Sequence, residues 1–352
     1  MKTKSTCGAP AYIANGMALA ITAFFITSYA LADEAIKLDP NLKTYAKVSG
    51  VSGNLNSIGS DTLNNLMTLW AEGFRKQYPN VKIQIEGKGS STAPPALIEG
   101  TAQIGPMSRP MKGTEIDKFE AKFGYKPTAF PVAIDALAVY VNKDNPVTGL
   151  TMAQVDAIFS KSRRWGHKEN IQFWRQVGLD GDLGNSPISI YGRNSASGTY
   201  GFFKEHALKN GDFKDEVKEQ PGSASVVQGV TEDQAGIGYS GIGYLTSGVR
   251  ALPLAEKDGM PFKAATQENA ADGSYPLWRN LYLYVNVAPN KPLDPLVKEF
   301  LKFVQSREGQ QVVMKDGFFP LSAAATEKEF KKLDGFFPMS AAAAEKESKK
   351  LE

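Results

Sequence analysis

Residues 192–203, "GRNSASGTYGFF", combine a positive charge, hydroxyl groups and a glycine at the predicted start of a helix. The first N–H groups of a helix lack internal partners and lie at the positive end of its dipole. Gly198 lets an anion approach that backbone, and the flanking Ser197 and Thr199 add hydroxyl donors. The planar guanidinium of Arg193 can bind two oxygens of one tetrahedral oxyanion. The stretch therefore predicts an anion-binding loop; the alternative is a surface arginine beside an ordinary helix cap.

Three further segments share this design, in which a strand-like piece is followed by a turn rich in glycine, serine and threonine. They are "IGSDT" (58–62), "GKGSST" (87–92) and "IGPMSR" (104–109). A single turn of this kind indicates little, because serine and threonine commonly cap helices. Four such turns in one chain, one of them carrying an arginine, favour a shared anion as their target.

Catalytic and metal chemistry find little support in the same residues. The segment "NSASG" is not a G-x-S-x-G nucleophile elbow, and the chain has only 2 histidines, His167 and His206. On a continuous helix His206 would lie about 10 Å along the axis from Thr199, too far to act as its base. There is no cluster of histidines and cysteines to bind a metal, and no cofactor motif. We therefore expect a binding protein and not an enzyme.

The composition fits a folded protein of about two domains. The chain has 352 residues, of which 42% are hydrophobic and 22% charged. A formal net charge of +3 is too small to indicate nucleic acid or an anionic membrane as the main partner.

The first 32 residues are typical of a secretory signal peptide. Lys2 and Lys4 precede an apolar run that ends in "ALA" at residues 30–32. The alternative, a membrane anchor, is disfavoured because the run is short and diluted by threonine and serine. Cleavage would lower the formal charge from +3 to +1 and remove Cys7, the only cysteine. We expect a soluble periplasmic protein without disulfides, although composition leaves full secretion open.

Alternating strand-like and helix-like pieces must position the four turns. After a polar lead-in (33–50), "DTLNNLMTLWAEGFRKQY" has helical spacing and "NVKIQIEG" alternates like a strand. "AFPVAIDALAVYVN", "AGIGYSGIGY" and "NLYLYVNV" indicate strands, Thr151 indicates a helix N-cap, and residues 292–316 indicate C-terminal helices. The alternation predicts α/β domains with largely parallel sheets.

The C-terminus contains a repeat. Residues 316–333, "DGFFPLSAAATEKEFKKL", recur as residues 334–351, with differences only at Leu321/Met339, Thr326/Ala344 and Phe330/Ser348. A single duplication differs from a solenoid, which needs three or more units. We interpret residues 334–352 as an additional, mobile amphipathic tail.

The order of these motifs resembles a known family. From about Val51 to Leu333, "IGSDT", "EGKGSS", "IGPMSRP", "RNSASGT" and "GIGY" follow the pattern of the periplasmic phosphate-binding proteins that serve ABC-type importers. The resemblance implies a type II periplasmic binding protein, with two α/β lobes, central mixed sheets, a two-stranded hinge and a ligand cleft between the lobes. It implies lobe 1 at 51–140 plus 286–333 and lobe 2 at 141–285, with hinge crossings near "LAVYVNK" and "NLYLYVN".

The resemblance also implies the ligand-binding residues. These are Ser60, Asp61, Thr62, Ser90, Arg193, Ser197, Gly198 and Thr199, and the third turn adds Ser108 and Arg109 as further candidates. Ser108 stands where one branch of the family has an aspartate that accepts the proton of hydrogen phosphate, and Asp61 stands where that branch has a hydroxyl residue. We hypothesise that the acceptor role has moved to Asp61; the alternative is that Asp61 caps its own helix. Arg109 either adds a second charge to the site or lies outside it in an ion pair.

The function predicted from this resemblance is capture of inorganic phosphate by a monomeric receptor. The closed receptor would then engage the inner-membrane permease subunits of an ABC importer. The alternatives are a receptor for another tetrahedral oxyanion (sulfate, molybdate or tungstate), an exported phosphatase, or an interaction protein whose lobes bind a surface or macromolecule, which only the duplicated tail would favour.

Overall fold

The computed structural model of the protein describes Met1 and residues 35–335. Apart from Met1, the predicted signal peptide (1–32) lies outside the described residues, and so do all but the first two residues of the duplicated tail (334–352). Residues 36–335 form one compact unit. Within its described part, no helix is both long and apolar enough to cross a membrane.

Strands and helices alternate along the chain much as the sequence predicts. The strands are β1 (Gly53–Ile58), β2 (Val81–Glu86), β3 (Gly105–Met107), β4 (Thr128–Asn142), β5 (Leu150–Thr151), β6 (Ser189–Arg193), β7 (Lys218–Gln220), β8 (Gly236–Gly241), β9 (Val249–Ala251), β10 (Leu254–Ala255) and β11 (Trp278–Val285). The helices are α1 (Asn64–Gln77), α2 (Ala93–Ile98), α3 (Gly113–Phe123), α4 (Met152–Phe159), α5 (Gly181–Asn185), α6 (Gly198–His206), α7 (Ser223–Glu232), α8 (Gln267–Ala271), α9 (Pro295–Gln305), α10 (Arg307–Lys315) and α11 (Ala323–Gly335).

The central sheet has 7 strands in the order β3-β11-β4-β8-β6-β7, and β9 pairs with β4 outside this order. The pairs β1–β2, β5–β10, β6–β7 and β6–β8 are parallel. Among the strands of residues 35–335, each antiparallel strand pair includes β4 or β11. The mixed sheet is confirmed, and the largely parallel sheet expected from the alternation is wrong, because β4 and β11 run against their neighbours.

Strand β4 belongs to two sets of partners. Its first half pairs with β11, from Thr128 opposite Val285 to Ala136 opposite Trp278. Its second half, Leu137 to Val141, pairs with β8. These are the segments in which the hinge crossings are predicted, while the boundaries between the two lobes stay a prediction.

Helix α1 shows why the apolar spacing matters. It buries Leu66, Met67, Trp70 and Phe74 along one face, as the helical spacing predicts. The indole N–H of Trp70 donates to the carbonyl of Gly309 in α10 at 2.8 Å. The apolar face therefore packs α1 against the C-terminal helices. The turn at residues 58–62 lies directly before the N-terminus of α1.

The first copy of the repeat is part of the core. Phe318, Phe319 and Leu333 are buried. Phe319 exchanges two backbone hydrogen bonds with Ile134 of β4, at 2.9 and 3.0 Å. Phe330, which the second copy replaces with serine, is only half-buried. Residues 316–333 therefore pack into the core and hydrogen-bond to the middle of β4 through Phe319.

We expect Leu281→Ala in β11 to destabilise the fold substantially. Leu281 is fully buried in the main hydrophobic core, and truncating such a leucine removes apolar burial and leaves a cavity. The free energy of unfolding should fall by about 2–5 kcal/mol, measured by urea denaturation. Exposed Lys82 of β2 provides the control, because Lys82→Ala should change that free energy by less than about 0.5 kcal/mol.

Candidate functional site

The three N-terminal turns, which follow β1, β2 and β3, meet through their serine hydroxyls. The hydroxyl of Ser60 donates to Ser108 Oγ at 3.1 Å, and Ser90 Oγ lies 3.3 Å from Ser108 Oγ. The backbone N–H of Ser108 donates to Ser90 Oγ at 3.1 Å. All three serines are buried, so the hydroxyl groups form one cluster removed from bulk water.

The fourth turn, between β6 and α6, lies against this cluster. A Cβ added to Gly198 would come within 2.2 Å of Ser90 Oγ and 2.6 Å of Ser108 Oγ. The backbone N–H of Ser91 donates to the carbonyl of Ala196 at 3.1 Å. Only a glycine can stand at position 198 without displacing the serines. The second and third turns therefore require the glycine at position 198, and its role in the approach of an anion stays a prediction.

Hydroxyl contacts join the first and fourth turns. Thr62 Oγ1 lies 2.9 Å from Thr199 Oγ1, and both threonines are buried. Ser197 Oγ accepts the N–H groups of Thr199 and Tyr200 at 3.1 and 3.3 Å, so it caps α6. Because a hydroxyl has one proton in addition to its lone pairs, Ser197 can still donate while it caps the helix.

Arg193 is inside the protein, which contradicts the alternative of a surface arginine. It is 1% exposed. Its Nη1 donates to Ser223 Oγ at 2.7 Å, and its Nη2 donates to the carbonyl of Pro221 at 3.2 Å. Burial lowers the pKa of Arg193, and the nearby carboxylate of Asp61 opposes that shift. The guanidinium stays charged, since arginine is not deprotonated in proteins.

Asp61 connects the first turn to Arg193 and to α7. Its Oδ2 lies 3.2 Å from Arg193 Nη2 and accepts the N–H of Ser223, the first residue of α7, at 2.8 Å. The carboxylate thus caps α7 and not the short 3-10 helix Asp61–Leu63 that precedes α1, so the own-helix alternative is wrong. Sequence analysis did not identify α7, and hence missed Ser223.

Arg109 is held in an ion pair. Its Nη1 and Nη2 donate to the two carboxylate oxygens of Glu115 in α3, at 2.8 and 2.7 Å. Burial tends to raise the pKa of Glu115, but the hydrogen bonds from Arg109 and from the Lys112 N–H lower it overall. Of the two alternatives for Arg109, the ion pair is the one observed. The sequence analysis did not identify α3, so this partner was missed.

A second buried ion pair was also missed. Arg279 of β11 donates from Nε and Nη2 to Oδ2 of Asp135 in β4, at 2.9 and 2.7 Å. Its Nη2 also donates to Thr199 Oγ1 at 3.0 Å. The available signal was Asp135 itself, a lone carboxylate inside the apolar stretch "AFPVAIDALAVYVN".

Helix α6 is continuous from Gly198 to His206. His206 therefore lies too far along the helix to act as a base for Thr199, as predicted. The His206 ring packs on Phe202 with centroids 4.1 Å apart. Burial lowers the pKa of His206. The geometry of α6 therefore keeps this histidine in a packing role, away from the hydroxyls at the helix start.

Comparison with known proteins gives a consistent result. A family model described as a PBP superfamily domain matches residues 45–308. The phosphate-binding protein PstS of Pseudomonas aeruginosa is 58% identical over 315 residues, which covers 90% of this chain and 98% of that protein. The chain belongs to the PstS family of phosphate-binding proteins. The members of this family bind a substrate for transport and are not enzymes, which agrees with the expectation from the residues.

More distant relatives agree with this family. Protein SphX of Synechococcus elongatus is 30% identical over 271 residues, covering 76% of this chain and 77% of that protein. A phosphate ABC transporter substrate-binding protein of Clostridium perfringens, solved with bound phosphate, superposes with a TM-score of 0.64 at 26% identity. The match covers 77% of this chain and 100% of that structure. The type II binding-protein fold predicted from the sequence is thereby confirmed.

We expect Gly198→Ala to destabilise the protein, because its methyl group would displace the hydroxyls of Ser90 and Ser108. Overpacking of this kind should lower the free energy of unfolding by about 1–3 kcal/mol in urea denaturation. Gly113, at the start of α3, is the matched control, since an added Cβ there meets nothing within 4 Å. Equal stability of the Gly198→Ala and Gly113→Ala variants would contradict the close contact between the turns.

Proposed function

We propose that this protein binds inorganic phosphate where its four turns meet and delivers the anion to an ABC-type phosphate importer. The observation that carries the proposal is the contact of four separate turns with one another in a buried cluster. Each turn brings hydroxyl or N–H donors, and Arg193 adds a guanidinium. The 58% identity to a phosphate-binding PstS and the bound phosphate of the Clostridium perfringens relative support the same ligand.

In this proposal the anion is bound by donors and not transformed. The binding residues are Ser60, Asp61, Thr62, Ser90, Ser108, Arg193, Ser197, Gly198 and Thr199. Charge-assisted hydrogen bonds to a desolvated anion are short and strong, and several of them together give high affinity. In this arrangement Arg109 does not bind the anion, because both of its terminal nitrogens, Nη1 and Nη2, donate to Glu115.

Asp61 is proposed as the acceptor for the proton of hydrogen phosphate. Within residues 35–335, both of its strong contacts, from Arg193 and from the Ser223 N–H, involve Oδ2. Oδ1 is therefore able to accept a hydrogen bond from the P–O–H group of the ligand. A carboxylate oxygen repels an anion that has no proton to donate, so it would select hydrogen phosphate over sulfate.

The cellular role follows from the same family. We propose that residues 1–32 direct export, that the mature monomer captures phosphate outside the cytoplasmic membrane, and that the closed form engages permease subunits. Closure of two lobes about β4 and β11 would present the loaded state. A receptor for sulfate, molybdate or tungstate remains the alternative, and a titration with each anion distinguishes them.

Replacing Arg193 should sharply weaken phosphate binding. We expect Arg193→Ala to lose at least about 100-fold in affinity, since disrupting a buried charge pair typically costs about 3–5 kcal/mol. Calorimetric titration of the purified protein measures this change. Exposed Arg175 is the control, and Arg175→Ala should bind phosphate normally. A loss below about tenfold in Arg193→Ala would be inconsistent with a ligand at Arg193.

Replacing Asp61 should reduce discrimination between anions. We expect Asp61→Asn to bind sulfate more tightly relative to phosphate, because the amide can donate a hydrogen bond where the carboxylate repels. Titrations with both anions on either side of neutrality measure the preference, since phosphate changes its protonation there and sulfate does not. An unchanged preference in Asp61→Asn would refute the acceptor role while leaving phosphate binding itself untouched.

A further inference from the structure

Arg279 occupies an unusual position for a buried charge. It lies on β11 directly opposite Asp135 of β4 in the antiparallel ladder. Arg279 is 3% exposed and Asp135 is fully buried. The pair therefore lies between the two central strands that carry the predicted hinge crossings.

One guanidinium nitrogen of Arg279 has no hydrogen-bond partner among the described residues. A guanidinium has five N–H donors, and those on Nε and Nη2 bind Asp135 and Thr199. Nη1 is buried and has no hydrogen-bond partner among the described residues. The guanidinium also lies over the Phe202 ring at 5.3 Å, a contact that uses its face and not its N–H groups. Buried donors in proteins are normally hydrogen-bonded, so we expect a bound ligand to supply an acceptor for Nη1.

Arg279 is also close to the other buried cation of the site. Burial and the positive charge of Arg193 both lower the pKa of Arg279, although Asp135 opposes this shift. Because arginine remains protonated, two like charges repel one another inside the protein. An anion placed between them would satisfy the unpaired donor and relieve their repulsion.

We propose that Arg279 is a second arginine of the phosphate site, whose Nη1 donates to the bound anion while its Nη2 orients the hydroxyl of Thr199. This inference rests on the proposed function.

The effect on Thr199 follows from hydrogen-bond direction. Arginine can only donate, so Thr199 Oγ1 accepts from Nη2. The one hydroxyl proton of Thr199 is then available to Thr62 Oγ1, 2.9 Å away, or to an anion in the site. Arg279 thereby converts Thr199 into a donor aimed away from the guanidinium.

Asp135 keeps Arg279 in place. Its Oδ2 accepts from Arg279, and its Oδ1 accepts the N–H of Ile242, directly after β8, at 2.9 Å. Strands β4, β8 and β11 are thus joined through one carboxylate. A side chain fixed in this way loses little freedom when a ligand arrives, which favours tight binding.

The test is phosphate titration of the Arg279→Lys variant by calorimetry. Lysine keeps the positive charge but lacks the planar fork that reaches Asp135, Thr199 and the anion together. We expect phosphate binding to weaken by about tenfold or more, the effect of losing a hydrogen bond to a charged group. Arg250→Lys is the control, because Arg250 donates to the carbonyls of Asn145 and Val147 and contacts no site residue in these hydrogen bonds.

A second measurement addresses the role of Thr199. Titrations of Thr199→Val and of the double variant with Arg279→Lys complete a mutant cycle. If Arg279 acts partly through Thr199, the double variant should lose less affinity than the product of the two single losses. Simple multiplication of the losses would overturn the orienting role.

The outcomes separate this inference from the proposed function. Failure of the unaltered protein to bind phosphate would refute the proposed function itself. Normal binding by the unaltered protein and by a folded Arg279→Lys variant would refute only the role of Arg279. If Arg279→Lys does not fold, a crystal structure of the unaltered protein with phosphate decides. Nη1 within hydrogen-bond distance of a phosphate oxygen supports the proposal, and Nη1 without such a contact overturns it.

Discussion

Neutralisation of buried guanidinium groups is the constraint on which the site depends. An unpaired charge in the interior is strongly destabilising, so each buried arginine requires a carboxylate within reach. The pairs are Arg109–Glu115, Arg193–Asp61 and Arg279–Asp135. Each pair joins two different elements of the fold. The ion pairs therefore add to the hydroxyl and backbone hydrogen bonds that hold the four turns together.

Much of the fold could be predicted because its signals are local. The spacing of Leu66, Trp70 and Phe74 identified α1, and the alternation in "NVKIQIEG" identified β2. Whether the strands run parallel or antiparallel could not be predicted from local patterns. It depends on the pairing of the first half of β4 with β11 and of its second half with β8. Helix α7, "SASVVQGVTE", is rich in β-branched residues and has weak intrinsic helix propensity. Packing against β8 stabilises it, and that contact is invisible in the sequence.

In the candidate site, the turns could be predicted from the sequence but the partners of the arginines could not. The turns were recognisable because glycine, serine and threonine follow each strand within a few residues. The partners of the arginines were not, since Arg279 and Asp135 are 144 positions apart and meet only across the β4–β11 ladder. Glu115 is 6 positions from Arg109, yet the contact exists only because α3 begins between them. Local chemistry was therefore predictable, and long-range charge compensation was not.

The internal compensation of the arginines has a consequence for the rate of ligand capture. Because Arg109, Arg193 and Arg279 each have a carboxylate beside them, the site projects little net electric field into the solvent. Long-range attraction, which accelerates many associations at low ionic strength, contributes little here. An anion would reach this protein at a similar rate in dilute and in saline surroundings.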